Sequence, residues 1–329
     1  MKPSTKTIRR VVSAHMAFII SAWVCLLLLA PAPTVQAGAV LTLVVPAAAG
    51  GPMDAVARHL ATRMAEQSGQ AVVVENRSGA KCLIGTQFVA RSAPDGRTLL
   101  VGSSFMTSNA LTFETAPHPI DDLRPLVKLT EMDIYLAGRA GLEVAGPADL
   151  ERLARESPDG LNCAGLGGNL TLGCERLKKL LGGRVTLIPY NGVAPGVNDL
   201  AGGHVDLLFS PHQSLLPLAG TGKIQILAVL GDRPGTPPFE KAPLLKDTWP
   251  GFMMTSYHGI WAPPGTPDDL MVQLNQRINE ALKDPQVIAS LKTMGYRTVG
   301  GAPEILTRHL EAELNFQRRI LEEIENASH

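Results

Sequence analysis

Short apolar runs alternate along this chain with stretches in which apolar residues recur at helical spacing. The run at residues 41–45 is apolar and β-branched and ends at Pro46. Behind Pro52, which suits a first helical turn, an apolar stripe follows that ends before Gly69. Its members are Met53, Val56, Ala57, Leu60, Ala61 and Met64. The pattern predicts a strand that feeds an amphipathic helix.

The same alternation continues along the rest of the sequence. Further strands are predicted at residues 72–74, 98–101, 161–164, 185–188, 205–209 and 224–229. Helices are predicted near residues 85–91, 147–156, 171–181 and 193–201. Pro267 and Pro285 are expected to open later helices and Gly295 to close one, before a long amphipathic C-terminal helix. We therefore expect an α/β fold of parallel sheets with helices on both faces.

Composition narrows the class of protein. The chain has 329 residues, of which 45% are hydrophobic and 18% charged. These proportions exclude a disordered chain, collagen and a disulfide-stapled mini-protein, and the length favours two domains. Thirty Lys and Arg residues balance thirty Asp and Glu residues, which argues against nucleic acid as a partner.

Residues 1–37 have the pattern of a cleaved export signal. Four positive residues, Lys2, Lys6, Arg9 and Arg10, precede an apolar run at residues 16–30, and small residues follow at 35–37. The run is shorter than the roughly 20 apolar residues of a membrane span. The sequence thus predicts an exported, periplasmic protein that begins near Gly38.

Three cysteines lie beyond the predicted signal: Cys82, Cys163 and Cys174. Cys163 and Cys174 flank the glycine-rich residues 165–173, so a disulfide there would hold a loop. Two buried thiols acting as small apolar side chains fit the sequence equally well. Cys82 stands beside Lys81, which permits a nucleophile, but no residue is indicated as its base.

Two loops between a strand and a helix have the composition of an anion site. Ligands of open α/β sheets bind at the carboxyl ends of strands. At residues 46–54, glycines let the backbone approach a ligand, and the free N–H groups of the next helical turn favour an anion. Residues 165–171 form a second such loop, where Asn169 or Thr171 as a simple helix cap is the alternative. Two facing loops of this kind would hold a dicarboxylate.

Motifs of enzymes and metal sites are missing from the sequence. It has no nucleophile elbow, dinucleotide fingerprint, phosphate loop or zinc helix. The pairs His204/Asp206 and His118/Asp121 have no third ligand nearby, which favours surface or core roles. We therefore expect neither catalysis, nor a cofactor, nor a bound metal.

The order of several segments resembles one family, the Bug or TctC-type extracytoplasmic solute receptors of tripartite tricarboxylate transporters. The matching stretches are residues 43–46, 50–54, 73–80, 84–86, 93–100, 188–192, 199–209 and 259–267. The resemblance implies a two-lobed periplasmic binding fold of the Venus-flytrap type, with helices on both faces of each sheet. It places the crossings between lobes near residues 135–141 and 255–259. Lobe 1 would comprise residues 38–138 and 259–329, and lobe 2 residues 139–258.

The resemblance also implies that backbone N–H groups and bridging water at the two loops hold a ligand carboxylate. Around them, Asp54 is open to two roles, as partner of a ligand ammonium or as a first-turn helix residue. Lys81 is open to a ligand contact or to solvent, and Tyr190 and His258 to a pocket wall or to hinge packing. The residues expected near the ligand are Ala48, Ala49, Gly50, Gly51, Met53, Asp54, Lys81, Ser103, Ser104, Gly167, Gly168, Asn169, Thr171, Tyr190, Ser210 and His258.

Some of these positions depart from the family pattern. Met53 stands at a Thr or Ser position, Ser210 at an Asp or Asn position, and Lys81-Cys82-Leu83 in place of Gly-Gly-Asn. The resemblance still predicts a monomeric receptor that captures a small organic anion, a carboxylate or an amino acid, and delivers it to membrane transporter subunits. The altered loops leave open a sensor without a transport role, and a periplasmic enzyme acting on a carboxylate remains a third alternative.

Overall fold

The computed structural model describes residues 40–190 and 192–326, and the side chains up to residue 322. The predicted export signal lies outside the described residues. No helix within the described ranges is long and apolar enough to span a membrane. The strands are β1 (Leu41–Val45), β2 (Val72–Asn76), β3 (Thr98–Gly102), β4 (Arg124–Arg139), β5 (Leu161–Gly165), β6 (Val185–Pro189), β7 (Leu207–Pro211), β8 (Ile224–Val229), β9 (Thr255–Ala262) and β10 (Arg297–Thr298).

The helices mostly follow the predicted apolar stripes. They are α1 (Pro52–Ser68), α2 (Leu83–Ala90), α3 (Phe105–Thr112), α4 (Leu150–Glu156), α5 (Gly168–Leu180), α6 (Val193–Gly202), α7 (His212–Leu215), α8 (Leu245–Thr248), α9 (Asp268–Leu282), α10 (Pro285–Thr293) and α11 (Pro303–Asn326). Three short 3₁₀ turns lie at Ala80–Cys82, Pro147–Asp149 and Leu216–Leu218. As predicted, Pro285 opens a helix, here behind an Asp284 side chain that caps Gln286 and Val287.

One long strand, β4, joins a first group of strands (β1, β2, β3, β9 and β10) to a second group (β5, β6, β7 and β8). The path of hydrogen-bonded neighbours runs β2-β1-β3-β9-β4-β7-β5-β6, and β8 and β10 also pair with β4. Residues 124–133 of β4 pair with β9, whereas residues 134–139 pair with β7 and β8. The change of partner therefore falls between Asp133 and Ile134.

The predicted parallel pairing is found among β1, β2 and β3 and among β5, β6 and β7, but the sheet as a whole is mixed. β1 runs parallel to β2 and β3, and β5 parallel to β6 and β7, but β9 is antiparallel to β3 and to β4, and β4 is antiparallel to β7. β4 and β9 carry the chain between the two groups of strands and back, so they run antiparallel to each other. β7 also begins two residues later than predicted.

Buried apolar residues form three clusters, and helices cover both faces of the first group of strands. Val56, Leu60 and Leu274 of α1 and α9 pack on one face. Val89, Met106 and Leu306 of α2, α3 and α11 pack on the other. The third cluster surrounds β5 and β7. Because helices cover both faces, the loops that are open to solvent lie at the ends of the strands.

Candidate ligand-binding site

Parallel pairing places each candidate loop at the end of a strand, beside other predicted site residues. Because β1 and β3 are parallel neighbours, residues 46–51 and the pair Ser103 and Ser104 follow the same edge of the first group. Because β5 is parallel to β6 and β7, residues 166–168, Tyr190 and Ser210 lie at the corresponding edge of the second group. These are the carboxyl ends at which ligands of α/β sheets bind.

Asp54 organises the first loop. Its carboxylate accepts hydrogen bonds from Gly50 N at 2.9 Å, Arg58 Nε at 2.9 Å and Asn76 Nδ2 at 2.9 Å. The hydrogen bond from Arg58 is the largest of the effects that lower the pKa of Asp54 to about 2. The residue is only 3% exposed. Its contacts all belong to the loop and its supports, which favours the structural role over recognition of a ligand ammonium.

The backbone of the first loop is open to solvent. Ala48, Ala49 and Gly50 are exposed, and Gly50 adopts a φ of +83°, which glycine tolerates and other residues rarely do. A Cβ atom at Gly50 would meet no other atom within 4 Å. Gly51, the N-cap of α1, has no side chain to cap the first turn. The Met53 side chain packs inward against the apolar cluster that contains Val56 and Leu60.

The second loop leads directly into α5. The structure makes Gly167 the N-cap of this helix, so the prediction of Asn169 or Thr171 as the cap was wrong: both lie in the first helical turn. The Thr171 hydroxyl oxygen accepts a hydrogen bond from Gly167 N at 2.8 Å. Gly167 has a φ of +91° and Gly168 a φ of +52°, and a Cβ at either would enter open space. Thr171 therefore fixes the loop while its backbone stays accessible.

A disulfide closes the second loop. Cys163 of β5 and Cys174 of α5 are bonded, with 5.9 Å between their Cα atoms. Both residues are buried. The bond joins the strand before the loop to the helix after it, so the glycine-rich segment is anchored at both ends. Cys82 remains a free thiol, and burial raises its pKa, which disfavours a nucleophilic role.

Tyr190 borders the second loop. Its backbone N–H donates to Gly165 O at 2.9 Å, and its hydroxyl donates to Asp199 Oδ2 at 2.6 Å. Burial and the Asp199 carboxylate raise the pKa of Tyr190 to about 12.

Ser210 lies fully buried at the end of β7, opposite Tyr135 on β4. Its hydroxyl has no hydrogen-bond partner among the described residues.

His258 lies inside the protein. It is 4% exposed, its Nδ1 lies 3.0 Å from the hydroxyl oxygen of Thr130, and its ring packs against Tyr296. Burial lowers the pKa of His258 to about 4, so the ring is neutral at physiological pH. These contacts favour packing within the strands over a pocket wall.

Lys81 lies on an exposed turn that packs against α3. Its carbonyl oxygen accepts from Asn109 Nδ2, and its Nζ lies 5.2 Å from the centroid of the Phe113 ring. The Lys81 side chain is thus turned to solvent and to Phe113.

Ser103 and Ser104 lie in the neighbouring loop, after β3. The Ser104 carbonyl accepts a hydrogen bond from Thr107 Oγ1 at 2.9 Å, and the Ser103 carbonyl accepts one from Met106 N at 2.9 Å.

Sequence reasoning missed Asn76 and Asn109 as supports of the site. Asn76 Nδ2 donates to Ala47 O at 3.2 Å as well as to Asp54, and so ties the end of β2 to the first loop. The sequence signal for Asn76 was its position at the end of β2, the strand that pairs with β1. No group of side chains that could hold a metal ion occurs within the part of the chain that the structure describes.

Residues 56–326 match the model of the tripartite tricarboxylate transporter family receptor. The chain belongs to this family. The resemblance in the sequence is thereby confirmed, as is the fold class of a periplasmic binding protein. Receptors of this family are solute-binding proteins rather than enzymes, so a solute-binding role is established in general terms.

Relatives of known sequence or structure cover most of the receptor. The protein encoded in the tcbD–tcbE intergenic region of Pseudomonas sp. strain P51 is 33% identical over 88% of this chain and 87% of its own length. MatC from Rhodopseudomonas palustris, solved with bound malate, is 29% identical with a TM-score of 0.66, covering 85% of this chain and 98% of that one. Rpa4515 from R. palustris, solved with adipate, is 31% identical with a TM-score of 0.67, covering 86% of this chain and 96% of that one.

Proposed function

We propose that this receptor captures a small organic anion, a carboxylate, between the loop at residues 46–51 and the loop at residues 166–171. The observation that carries the proposal is the pair of glycine loops, each of which precedes a helix whose N-cap is a glycine. Backbone N–H groups at such helix ends attract anions without a basic side chain. The bound malate and adipate of MatC and Rpa4515 support a carboxylate.

Delivery to the membrane subunits of a tripartite tricarboxylate-type transporter is the second part of the proposal. The family's receptors serve such transporters. We place the mature receptor in the periplasm as a monomer, after removal of residues 1–37. In this account lobe 1 comprises residues 38–138 and 259–329, and lobe 2 comprises residues 139–258. The two lobes close on the ligand by a hinge motion. The change of partners along β4 near Asp133 suits such a hinge.

A sensor without a transport role is the second candidate function. The turn at Ala80–Cys82 favours it, because the residues at 81 and 82 are not the expected glycines and yet adopt positive φ angles. A receptor with such a changed loop would serve a signalling partner in either its loaded or its empty state. Capture of a membrane sensor from the native host by protein that binds none of a broad set of carboxylates would favour this alternative.

Thermal unfolding in the presence of malate, adipate and a tricarboxylate tests the proposal. We expect at least one of them to raise the melting temperature, and nuclear magnetic resonance to show the ligand chemically unchanged. Conversion of the ligand would instead reveal an enzyme.

Two glycine variants assign the binding to the first loop. Gly50→Ala adds a methyl group to the open face of the loop, at a φ of +83°. Gly183→Ala is its matched control, since Gly183 has a φ of +81°, also faces open space and lies outside the site. Both variants should lose similar stability, but only Gly50→Ala should weaken binding, by tenfold or more. Equal affinities in the two variants would contradict the proposed site.

A further inference from the structure

A cavity with a mainly apolar lining and several buried polar groups separates α11 from the segment that enters β9. Its volume is about 380 Å³, within the range of small-molecule sites. The exposed residues Asp232 and Met253 form part of its rim. Its lining includes Lys128, Glu131, His309, Glu313, Phe316 and Gln317.

Three polar residues of α11 face this cavity. His309, Glu313 and Gln317 are spaced four residues apart, which places them on one side of a helix. The rise of an α-helix separates successive members of the set by roughly 6 Å and its two ends by roughly 12 Å. The cavity wall therefore carries a row of polar groups of about the length of a short aliphatic chain.

The His309 end of the row is a hydrogen-bond donor. Lys128 Nζ lies 3.2 Å from His309 Nδ1, and because an ammonium can only donate, Nδ1 accepts and Nε2 carries the ring proton. Burial and Lys128 lower the pKa of His309 to about 3, which keeps the ring neutral. His309 Nε2 is buried and has no partner among the residues that the structure describes.

The Gln317 end of the row is an acceptor. Gln317 is 1% exposed, its Nε2 donates to Thr107 Oγ1 at 3.1 Å, and its Oε1 is buried without a hydrogen-bond partner in the described ranges. Glu313 Oε2 lies 2.9 Å from the oxygen of the same Thr107 hydroxyl. Removal from water raises the pKa of Glu313 to about 7, so a cation beside it would be stabilising.

The other charges around the cavity are mostly paired with each other. Glu131 accepts from Lys128 Nζ at 2.7 Å and is bonded to Arg297, and Arg233 lies 3.9 Å from it. Asp232 stands at the rim. Met253, Met254 and Phe316 add apolar surface to the lining. The lining thus matches a molecule with an acceptor at one end, a donor at the other and methylene groups between them.

We propose that this cavity binds a small ω-amino carboxylate. Its carboxylate accepts hydrogen bonds from His309 Nε2 and Lys128 Nζ, and its ammonium donates to Glu313 and to Gln317 Oε1. The length of the row fits about four to six carbon atoms. This site is separate from the two glycine loops and shares with them only Asn169, so it stands or falls independently of the proposed function.

Calorimetry with three ligands of one length tests the proposal: 5-aminopentanoate, pentanoate and pentylammonium. We expect 5-aminopentanoate to bind at least tenfold more tightly than either one-ended compound. Glu313→Gln keeps the size and the contact with Thr107 but removes the negative charge, and it should abolish the preference for 5-aminopentanoate over pentanoate. Equal affinity for all three ligands in the wild type, or no binding at millimolar concentration, would overturn the proposal without any variant.

Comparison with Gly50→Ala separates the two sites. In that variant the affinity for 5-aminopentanoate should be unchanged, whereas malate or adipate should bind more weakly. If 5-aminopentanoate binding depends on Gly50 and is indifferent to Glu313→Gln, the compound occupies the loops and the cavity proposal is wrong. If instead it depends on Glu313 while no carboxylate responds to Gly50→Ala, the cavity proposal holds and the proposed loop site is wrong.

Discussion

Asn109 donates a hydrogen bond from Nδ2 to the backbone carbonyl oxygen of Lys81, with 2.7 Å between the two atoms. Asn109 is 7% exposed and lies in α3, so this bond fixes the turn between β2 and α2 against the first group of strands. Within that turn Ala80, Lys81 and Cys82 have φ angles of 45°, 53° and 75°. Three consecutive residues with side chains thus occupy the left-handed region, next to the loops that we propose bind the ligand.

Lys81→Gly should therefore stabilise the receptor. Glycine removes the steric penalty of a Cβ in the left-handed region, and we expect a gain of about 1 kcal/mol in the free energy of unfolding. Denaturation by urea measures it. Lys81→Ala retains the Cβ and is the matched control, for which we expect almost no gain. A glycine variant that is less stable than the alanine variant would show that the turn is not strained.

The first loop illustrates what the sequence could predict. Pro46 ends an apolar run, Pro52 suits a first helical turn, and the stripe behind it has helical spacing, so β1, the loop and α1 all follow from local signals. The structural role of Asp54 depends on Asn76, which lies 22 residues away on a neighbouring strand. That contact follows from strand pairing, which local periodicity does not specify.

β4 shows why the rest escaped prediction. Lys128, Glu131 and Asp133 interrupt its apolar pattern, although Lys128 and Asp133 are buried. Their partners come from distant parts of the chain: His309 lies near Lys128, Arg297 pairs with Glu131, and Arg233 pairs with Asp133. The C-terminal helix was likewise predicted from its spacing alone, which does not show that His309, Glu313 and Gln317 of α11 border a cavity.

Thr171→Val should lower both the stability of the receptor and its affinity for a carboxylate. The substitution removes the acceptor of the hydrogen bond from Gly167 N and keeps the shape of the side chain. Such a hydrogen bond contributes about 1 kcal/mol to stability. If the ligand must order the loop again, the same free energy corresponds to a loss of roughly fivefold in affinity. Calorimetry with the carboxylate that stabilises the wild type most provides the measurement. Thr171→Ser retains the hydroxyl and should bind like the wild type; equal losses in both variants would exclude this role of the hydroxyl group.

Replacing both bonded cysteines should destabilise the receptor and free the second loop. A cross-link between residues 11 apart is expected to contribute about 3 kcal/mol through the entropy of the unfolded chain. Unfolding of Cys163→Ala/Cys174→Ala, compared with the wild type with and without reductant, tests this. Reductant should lower the stability of the wild type and leave the double variant unchanged. Cys82→Ala, which removes the free thiol, should still respond to reductant like the wild type.

Asp54→Asn should lose stability at neutral pH and lose less of it in acid. The folded state holds the pKa of Asp54 at about 2, below its ordinary value of 3.8, so unfolding takes up a proton between these two values. The stabilisation by the carboxylate is complete above the unfolded pKa and disappears as the pH falls through 2. At pH 7 we expect the variant to be less stable by about 1.5–3 kcal/mol, as for hydrogen bonds to a charged group.

The pH dependence distinguishes this carboxylate from an ordinary surface acid. Denaturant unfolding at pH 7, 4 and 3 should show the difference between wild type and Asp54→Asn shrinking as the pH falls. Glu66→Gln is the matched control on the same helix, since its exposed carboxylate pairs with Arg63 at 3.1 Å. An exposed pair contributes about 0–1 kcal/mol, so that variant should stay close to the wild type throughout. A difference for Asp54→Asn that stays constant down to pH 3 would mean that the charge of Asp54 does not hold the first loop.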